Sequence, residues 1–173
     1  MVGLYLVMKL INLTNMWEDK TTVKKGNIGE RLVLKFLEEK GFIVYEPITK
    51  SAHGFDKLAV KDKKVAIIAE VKTKSRMNKY EATGFNYKHY QEYKLISKKH
   101  NLPIFIFFVD EHLKSIYGNW LKLLEVEKDG FPLRICNDTI ILFSLKNMIE
   151  VAKLSDNTCE ELKKYSTRNY KYN

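Results

Sequence analysis

The chain has 173 residues, 45% hydrophobic and 12% aromatic, which is enough apolar material for one folded domain and excludes a wholly disordered chain. Lysine and arginine number 30 against 21 acidic residues, and the charge of +9 favours a polyanionic partner, nucleic acid before an anionic membrane surface. With only Cys136 and Cys159, and no apolar run of membrane-span length, the sequence argues against a zinc ribbon or disulfide scaffold and favours a reducing cytoplasm.

Hydrophobic patterning predicts an alternation of helices and strands over the first two thirds of the chain. The first helix is indicated by an apolar repeat that ends before Gly41: Ile28, Leu32, Val33, Phe36 and Leu37. Strands are predicted at 42–45, 55–60, 65–73 and 104–109. A second helix is predicted at 86–100, with these packing residues: Tyr87, Tyr90, Leu95 and Ile96. We expect 42–45 to be buried and 104–109 to be a central strand covered on both faces.

This order predicts an α/β fold with a mixed central sheet flanked by helices, in the order α-β-β-β-α-β. The passage from strand to helix to strand predicts that 65–73 and 104–109 pair in parallel. A single domain is expected over 1–173, with its core at about 24–109. Outside this core the predictions are a strand or helix at 4–13, a strand or mixed segment at 115–127, a strand at 139–143, a helix at 145–154, and a basic, tyrosine-rich tail from 163.

Two carboxylates and an amine are predicted to meet where two neighbouring strands end. Glu70 and Lys72 share a face of the strand 65–73, roughly 6.6 Å apart, and Asp56 lies near the start of the strand before it. Carboxylates can hold a hard cation, and an ammonium group can reach the same water or phosphate. These are the parts required for metal-assisted phosphodiester hydrolysis. The alternative is an ordinary salt bridge, for instance between Asp56 and Lys72.

Glu30 adds a third carboxylate to this group. It precedes Val33, Leu34 and Leu37 at helical spacing, so it borders the apolar face of the first helix and can lean toward the strand ends. The alternative is an acid in the first helical turn, where the helix macrodipole favours negative charge.

These motifs together resemble the PD-(D/E)XK nuclease superfamily. The likeness covers about 24–109 and is nearest to archaeal-type Holliday junction resolvases. It rests on the segment 26–42 containing Gly29 and Glu30, on 53–56 ending in Asp56, and on 68–72 containing Glu70 and Lys72. The resemblance implies a restriction-endonuclease-like, three-layer core with a C-terminal extension, and a metal-dependent endonuclease activity on DNA.

The resemblance also implies roles for individual residues. Asp56 and Glu70 would be ligands of Mg²⁺, for which Mn²⁺ could substitute, with the Val71 carbonyl as a third ligand and Glu30 completing the site directly or through water. Lys72 would orient or deprotonate the attacking water. Auxiliary roles are predicted for three further side chains, each with a plain solvated position as the alternative: Gln91, Tyr93 and His53.

Nucleic-acid contacts are expected from basic side chains on segments near the predicted site, each of which has ordinary solvation as its alternative: Lys57, Lys74, Arg76, Lys79 and Lys88. The resemblance implies products with 5′-phosphate and 3′-hydroxyl ends, and a homodimer would fit symmetric cutting of two strands. The substrate could be a branched junction or a restriction or repair target. Two other classes stay open: a non-catalytic nucleic-acid-binding module with this fold, and a protein-interaction domain whose charge is incidental.

Overall fold

The computed structural model describes residues 20–47, 54–62, 64–77, 81–126, 131–135 and 138–166. The helices are α1 Thr21–Glu39, α2 Tyr87–His100, α3 Leu121–Val126 and α4 Asp156–Lys163, with a 3₁₀ turn at Leu145–Asn147. The strands are β1 Ile43–Tyr45, β2 Lys57–Lys61, β3 Val65–Thr73, β4 Ala82–Asn86, β5 Ile104–Asp110, β6 Ser115–Trp120, β7 Phe131–Ile135, β8 Asp138–Ser144 and β9 Ile149–Lys153. None of the described helices is long and apolar enough to cross a membrane.

A six-stranded mixed sheet forms the centre of the fold, in the order β1-β2-β3-β5-β6-β9. Strands β3 and β5 are parallel, as predicted, and their neighbours pair antiparallel. A smaller antiparallel sheet has the order β4-β8-β7. The predicted α/β class, with a mixed central sheet flanked by helices, is confirmed.

The core lies on both faces of the central sheet, which gives three layers. On one face, α1 and α4 pack through Val33, Leu37 and Leu162 onto the sheet. On the other face, α2 and the smaller sheet pack through Tyr90 and Phe143. Every residue of β5 is buried, which confirms the prediction of a strand covered on both faces.

Helix α1 lies unusually close to β3, because Gly29 faces Thr73. A Cβ atom added at Gly29 would overlap Thr73 Oγ1, whereas one added at Gly26 would meet nothing within 4 Å. This contact fixes the depth at which α1 lies on the sheet, and with it the position of Glu30, which follows Gly29.

Several sequence predictions are wrong. Strand β1 is exposed, with Ile43 at 64%, because it is the edge strand and pairs only with β2. The helix predicted at 145–154 is a 3₁₀ turn followed by β9, which pairs with β6. Strand β4 and helix α4 were not predicted. Leu95 is 67% exposed instead of packed.

Other predictions hold or lie outside the described residues. The segment 115–127 is mixed, since β6 is followed directly by α3. The strand predicted at 139–143 is β8, longer by one residue at each end. The segment 4–13, His53, Lys79 and the tail from 167 onward lie outside the described residues.

Candidate active site

Asp56 lies directly before β2 and next to Glu70 of β3. The antiparallel register pairs Lys57 with Ala69, so Asp56 comes opposite Glu70 just beyond the last pair. The Asp56 amide donates to Glu70 Oε2 at 3.2 Å, and the Val71 amide donates to Asp56 Oδ2 at 2.7 Å. Each carboxylate therefore accepts a backbone hydrogen bond from the strand that carries the other. This arrangement brings the two predicted acids to one point on the sheet.

The Lys72 ammonium lies beside Glu70, on the same face of β3. Lys72 Nζ is 2.6 Å from Glu70 Oε1 and 3.0 Å from the Tyr93 hydroxyl, which itself donates to Glu70 Oε1 at 2.5 Å. The same ammonium lies 5.3 Å from the centre of the Tyr93 ring and 5.5 Å from that of Phe85, within the range of cation–π attraction. The salt bridge considered from sequence thus joins Lys72 to Glu70 and not to Asp56.

Burial sets the protonation behaviour of this group. Glu70 is 3% exposed, and its desolvation raises the pKa of the carboxyl to about 7, with Asp56 adding to the rise and Lys72 opposing it. Burial and the neighbouring Glu70 carboxylate raise the pKa of Tyr93. Tyr93 therefore stays a neutral hydroxyl that can donate to Glu70. A further cation here would relieve the repulsion between the two acids.

Glu30 contacts a buried lysine. Lys57 Nζ lies 3.5 Å from Glu30 Oε2 and 2.5 Å from Glu46 Oε1, and its side chain is 1% exposed. Burial and the nearby Asp56 raise the pKa of Glu30, against the effect of Lys57. The charge of Asp56 therefore affects the pKa of Glu30, although the Glu30 carboxylate is hydrogen-bonded to Lys57.

Glu46 is a member of this group that sequence reasoning missed. The register pairs Tyr45 with Leu58, so Glu46 comes opposite Lys57 where β1 ends. An acid directly after one strand and a lysine at the start of its neighbour were visible in the sequence, but the pairing register was not. The prediction that Lys57 contacts nucleic acid is wrong, because burial between two carboxylates keeps its ammonium from the surface.

The two auxiliary candidates on α2 have different surroundings. Tyr93 reaches the site, as described above. Gln91 donates to the hydroxyl of Tyr87 on its own helix. The two residues are separated by roughly 200° around the helix axis, so they cannot face the same pocket. Gln91 is therefore not part of the group around Glu70.

The remaining predicted nucleic-acid residues lie nearer the surface. Lys88 is exposed at the start of α2, and Lys74 and Arg76 are partly exposed beyond the end of β3. The Arg76 amide donates to Asp110 Oδ2 at 2.8 Å, which holds this segment against the end of β5. Contact of these three side chains with nucleic acid stays a prediction.

A second polar group, not predicted from sequence, lies where β5 ends. Glu111 is fully buried, and its Oε1 accepts from Lys25 Nζ at 2.7 Å, Ser75 Oγ at 3.1 Å and Ser166 Oγ at 2.5 Å. Burial alone would raise the pKa of Glu111, but hydrogen bonds from Lys25 and Ser166 hold it below its usual value. The group ties α1, the segment after β3 and the chain beyond α4 to one carboxylate.

The donors present fit a divalent cation held by two carboxylates. Among the residues that the structure describes, no three acidic, histidine or cysteine side chains are placed to hold one ion. Asp56 and Glu70 do converge, and Mg²⁺ in proteins usually takes one or two carboxylates and completes its shell with water and substrate phosphate. Asp56 and Glu70 are thus the residues that would hold the ion.

Comparison with known proteins identifies the fold but not a family. No family model and no curated protein matches the chain. The chain is similar to the solved structure of Hjc, a Holliday junction resolvase from the archaeal hyperthermophile Archaeoglobus fulgidus. The TM-score is 0.53 at 11% identity, over 78% of this chain and 99% of the Hjc chain. The fold is resolvase-like. At this identity the similarity concerns the fold alone.

Proposed function

We propose that the chain is a divalent-metal-dependent endonuclease that hydrolyses phosphodiester bonds of DNA. The observation that carries the proposal is the convergence of Asp56 and Glu70, with the Lys72 ammonium 2.6 Å from Glu70. These three groups lie in a fold similar to that of a resolvase. The net charge of +9 fits a nucleic-acid partner.

The residues have separate tasks in this mechanism. When bound, Mg²⁺ supplies an activated water and compensates charge at the phosphate. Asp56 and Glu70 would hold the ion, and Lys72, whose side chain is 19% exposed, would orient the attacking water and steady the phosphate. Tyr93 holds the Lys72 ammonium and the Glu70 carboxylate in place through its hydroxyl. The oxygen of a water molecule would bond to phosphorus as the bond to the 3′-oxygen breaks. The water would release a proton and the departing 3′-oxygen would take one up from solvent, which leaves 5′-phosphate and 3′-hydroxyl ends.

Glu30 has a role in this mechanism that differs from that of a direct metal ligand. Its carboxylate is hydrogen-bonded to Lys57, so we propose that it acts on the site through water or through its charge. We also propose the Val71 carbonyl as a third protein ligand of the metal ion. We propose a branched DNA substrate on the basis of the similarity to a Holliday junction resolvase. We propose a homodimer because it would fit symmetric cutting of two strands.

A second candidate function is a nucleic-acid-binding module without catalysis. The observation in its favour is the close ion pair between Lys72 and Glu70, which partly compensates the buried charge without a metal. In this alternative the basic surface would bind nucleic acid and the buried acids would serve only the fold.

A cleavage panel separates the two functions. The substrates are linear duplex, single strand, flap, four-way junction and RNA, each with Mg²⁺ and with Mn²⁺. We expect cleavage of DNA by the wild type and a loss of at least about 100-fold in Asp56→Asn and Lys72→Ala, with DNA binding retained. Lys64→Ala, in the exposed turn before β3, is the matched control and should cleave normally. Binding without cleavage by the wild type, or full activity in both variants, would contradict the nuclease proposal.

A further inference from the structure

A groove lies between α2 and α3, away from Asp56 and Glu70. Its volume is about 800 Å³, and it opens beside the start of β5, at Ile104. Glu70 and Lys72 of β3 pair with Ile106 and Phe108, which lie further along β5 than Ile104. The described lining residues are mostly apolar, with lysines from both helices among them. The groove is therefore separate from the proposed catalytic group, although both adjoin α2.

Helix α2 presents one face to the core and another to this groove. Tyr90 and Tyr93 are buried against the sheets, whereas positions at i, i+3, i+4 and i+7 line the groove: Gln91, Lys94, Leu95 and Lys98. Leu95 is 67% exposed, and Leu123 on α3 is 47% exposed. Large aliphatic side chains thus stand in water on both walls, which is typical of a surface that binds a partner.

The charge around the groove has one sign. Lys94 and Lys98 lie on the α2 side and Lys122 on the α3 side, and no aspartate or glutamate occurs among the described lining residues. This pattern complements an apolar segment flanked by acids on both of its edges. A symmetric second copy of the chain would bring like-charged lysines together, so it fits the groove poorly.

Nucleic acid also fits this groove less well than a protein does. Trp120 is the one aromatic side chain among the described lining residues, so the groove offers a single ring, which is itself in T-shaped contact with Phe105 at a centroid distance of 5.1 Å. Stacking of successive bases needs free aromatic faces. The leucine walls match aliphatic or aromatic side chains of a peptide instead.

We propose that this groove binds an acidic amphipathic helix of a partner protein. The partner's apolar stripe would lie on Leu95, Leu102 and Leu123, and its acidic flanks would face Lys94, Lys98 and Lys122. Two flanking helices with apolar walls form the kind of groove that a third helix fills. The proposal does not depend on the nuclease function, since neither its residues nor its test involve Asp56 or Glu70.

A designed peptide pair tests the proposal. The probe is a labelled helical peptide of about 18 residues with a leucine stripe and flanking glutamates, and its twin has lysine in place of every glutamate. We expect the acidic peptide to bind the full chain with a Kd on the order of 10 μM, measured by fluorescence anisotropy, and the basic twin to bind at least about tenfold more weakly. Leu95→Ser and Lys98→Glu should each weaken the binding of the acidic peptide by about tenfold or more.

Matched variants outside the groove provide the controls. Leu113→Ser changes another exposed leucine, in the turn between β5 and β6, and Lys99→Glu changes an exposed lysine of the same helix that does not line the groove. Both should bind the acidic peptide like the wild type. The proposal is overturned by equal binding of the two peptides, by no binding of the acidic one, or by equal effects of groove and control variants. Displacement of the peptide by single-stranded DNA, or a dimer that Leu95→Ser dissociates, would also overturn it.

Discussion

The Asp56 amide donates to the Glu70 carboxylate at 3.2 Å, while the Asp56 carboxylate accepts from the amide of the residue after Glu70 at 2.7 Å. Backbone donors therefore hold two acids side by side, one directly before β2 and the other within β3. The arrangement is costly for the protein alone, because burial opposes the charge of Glu70 and Asp56 repels it. Such a cost is expected at a functional site, where a ligand of opposite charge offsets it.

The raised pKa of Glu70 predicts a pH-dependent stability. The folded protein holds this proton up to about pH 7, whereas the unfolded chain releases it near 4.5. Between these values the folded state binds more protons, so the free energy of unfolding falls as pH rises, by up to roughly 3 kcal/mol. Urea unfolding without metal from pH 4.5 to 8 should show this fall. Glu70→Gln should show a flatter profile.

The comparison between variants isolates Glu70 from other titrating groups. Glu38→Gln, on the exposed side of α1, should keep the wild-type slope. An identical slope in wild type and Glu70→Gln would mean that Glu70 does not carry the effect. Under the nuclease proposal, Glu70→Gln should also lose activity, although it removes a destabilising charge at pH 8.

Tyr93 is expected to act as a positioning residue for Lys72. Its hydroxyl lies 3.0 Å from Lys72 Nζ and donates to Glu70, so Tyr93→Phe removes both hydrogen bonds and keeps the ring. Single-turnover cleavage should slow by about tenfold or more, while the Kd for DNA stays within about twofold. Tyr87→Phe is the control, because its hydroxyl contacts Gln91 and not the acids. Equal rates for Tyr93→Phe and wild type would contradict this role.

Two glycines of α1 should respond to alanine in opposite directions. At Gly26 a Cβ meets nothing, so Gly26→Ala should stabilise the protein by up to about 1 kcal/mol through higher helix propensity. At Gly29 the Cβ would overlap Thr73 Oγ1, so Gly29→Ala should destabilise by about 2 kcal/mol or more. Urea unfolding of the two variants provides the measurement. Stabilisation by Gly29→Ala would show that α1 can move away from β3 without loss.

The buried and exposed lysines should differ in their effect on DNA binding. Lys88 is exposed at the start of α2, and Lys88→Ala should lower the slope of log K against log salt by about one. Lys57→Met keeps the length of a side chain that is 1% exposed, and its slope should match the wild type. Equal loss of slope in the two variants would place Lys57 at the nucleic-acid surface after all.

Part of the site follows from local sequence, because a short hairpin fixes its register. Once 55–60 and 65–73 are strands joined by a tight turn, Asp56 must come opposite Glu70 or close to it, and the period of two places Lys72 on the same face. The strongly apolar β5 was equally readable. These features depend on neighbours within about 15 residues.

The features that were missed depend on distant pairing. Strand β9 carries apolar residues whose spacing also fits a helix, and only its pairing with β6 decides between the two. Strand β4 pairs with β8, about 60 residues later, and Gly84 is needed because a side chain there would overlap the Ile141 carbonyl. Likewise, Lys57 reads as a surface cation until the register with β1 and the approach of α1 place two acids around it.

Breaking the buried Lys25–Glu111 pair should cost more stability than breaking an ion pair on the surface. Lys25→Ala would remove the charged donor from the fully buried Glu111 carboxylate, so we expect a loss of about 3 kcal/mol in urea unfolding. Ser166→Ala removes one hydroxyl donor and should cost about 1 kcal/mol. Lys35→Ala breaks an exposed pair at 3.9 Å and should change stability by less than about 0.5 kcal/mol. If Lys25→Ala were as mild as Lys35→Ala, Glu111 would have to be hydrated or protonated in the folded protein. A double variant that combines Lys25→Ala with Glu111→Gln also removes the buried charge. It should recover much of the loss caused by Lys25→Ala if the unpaired charge is the reason for that loss.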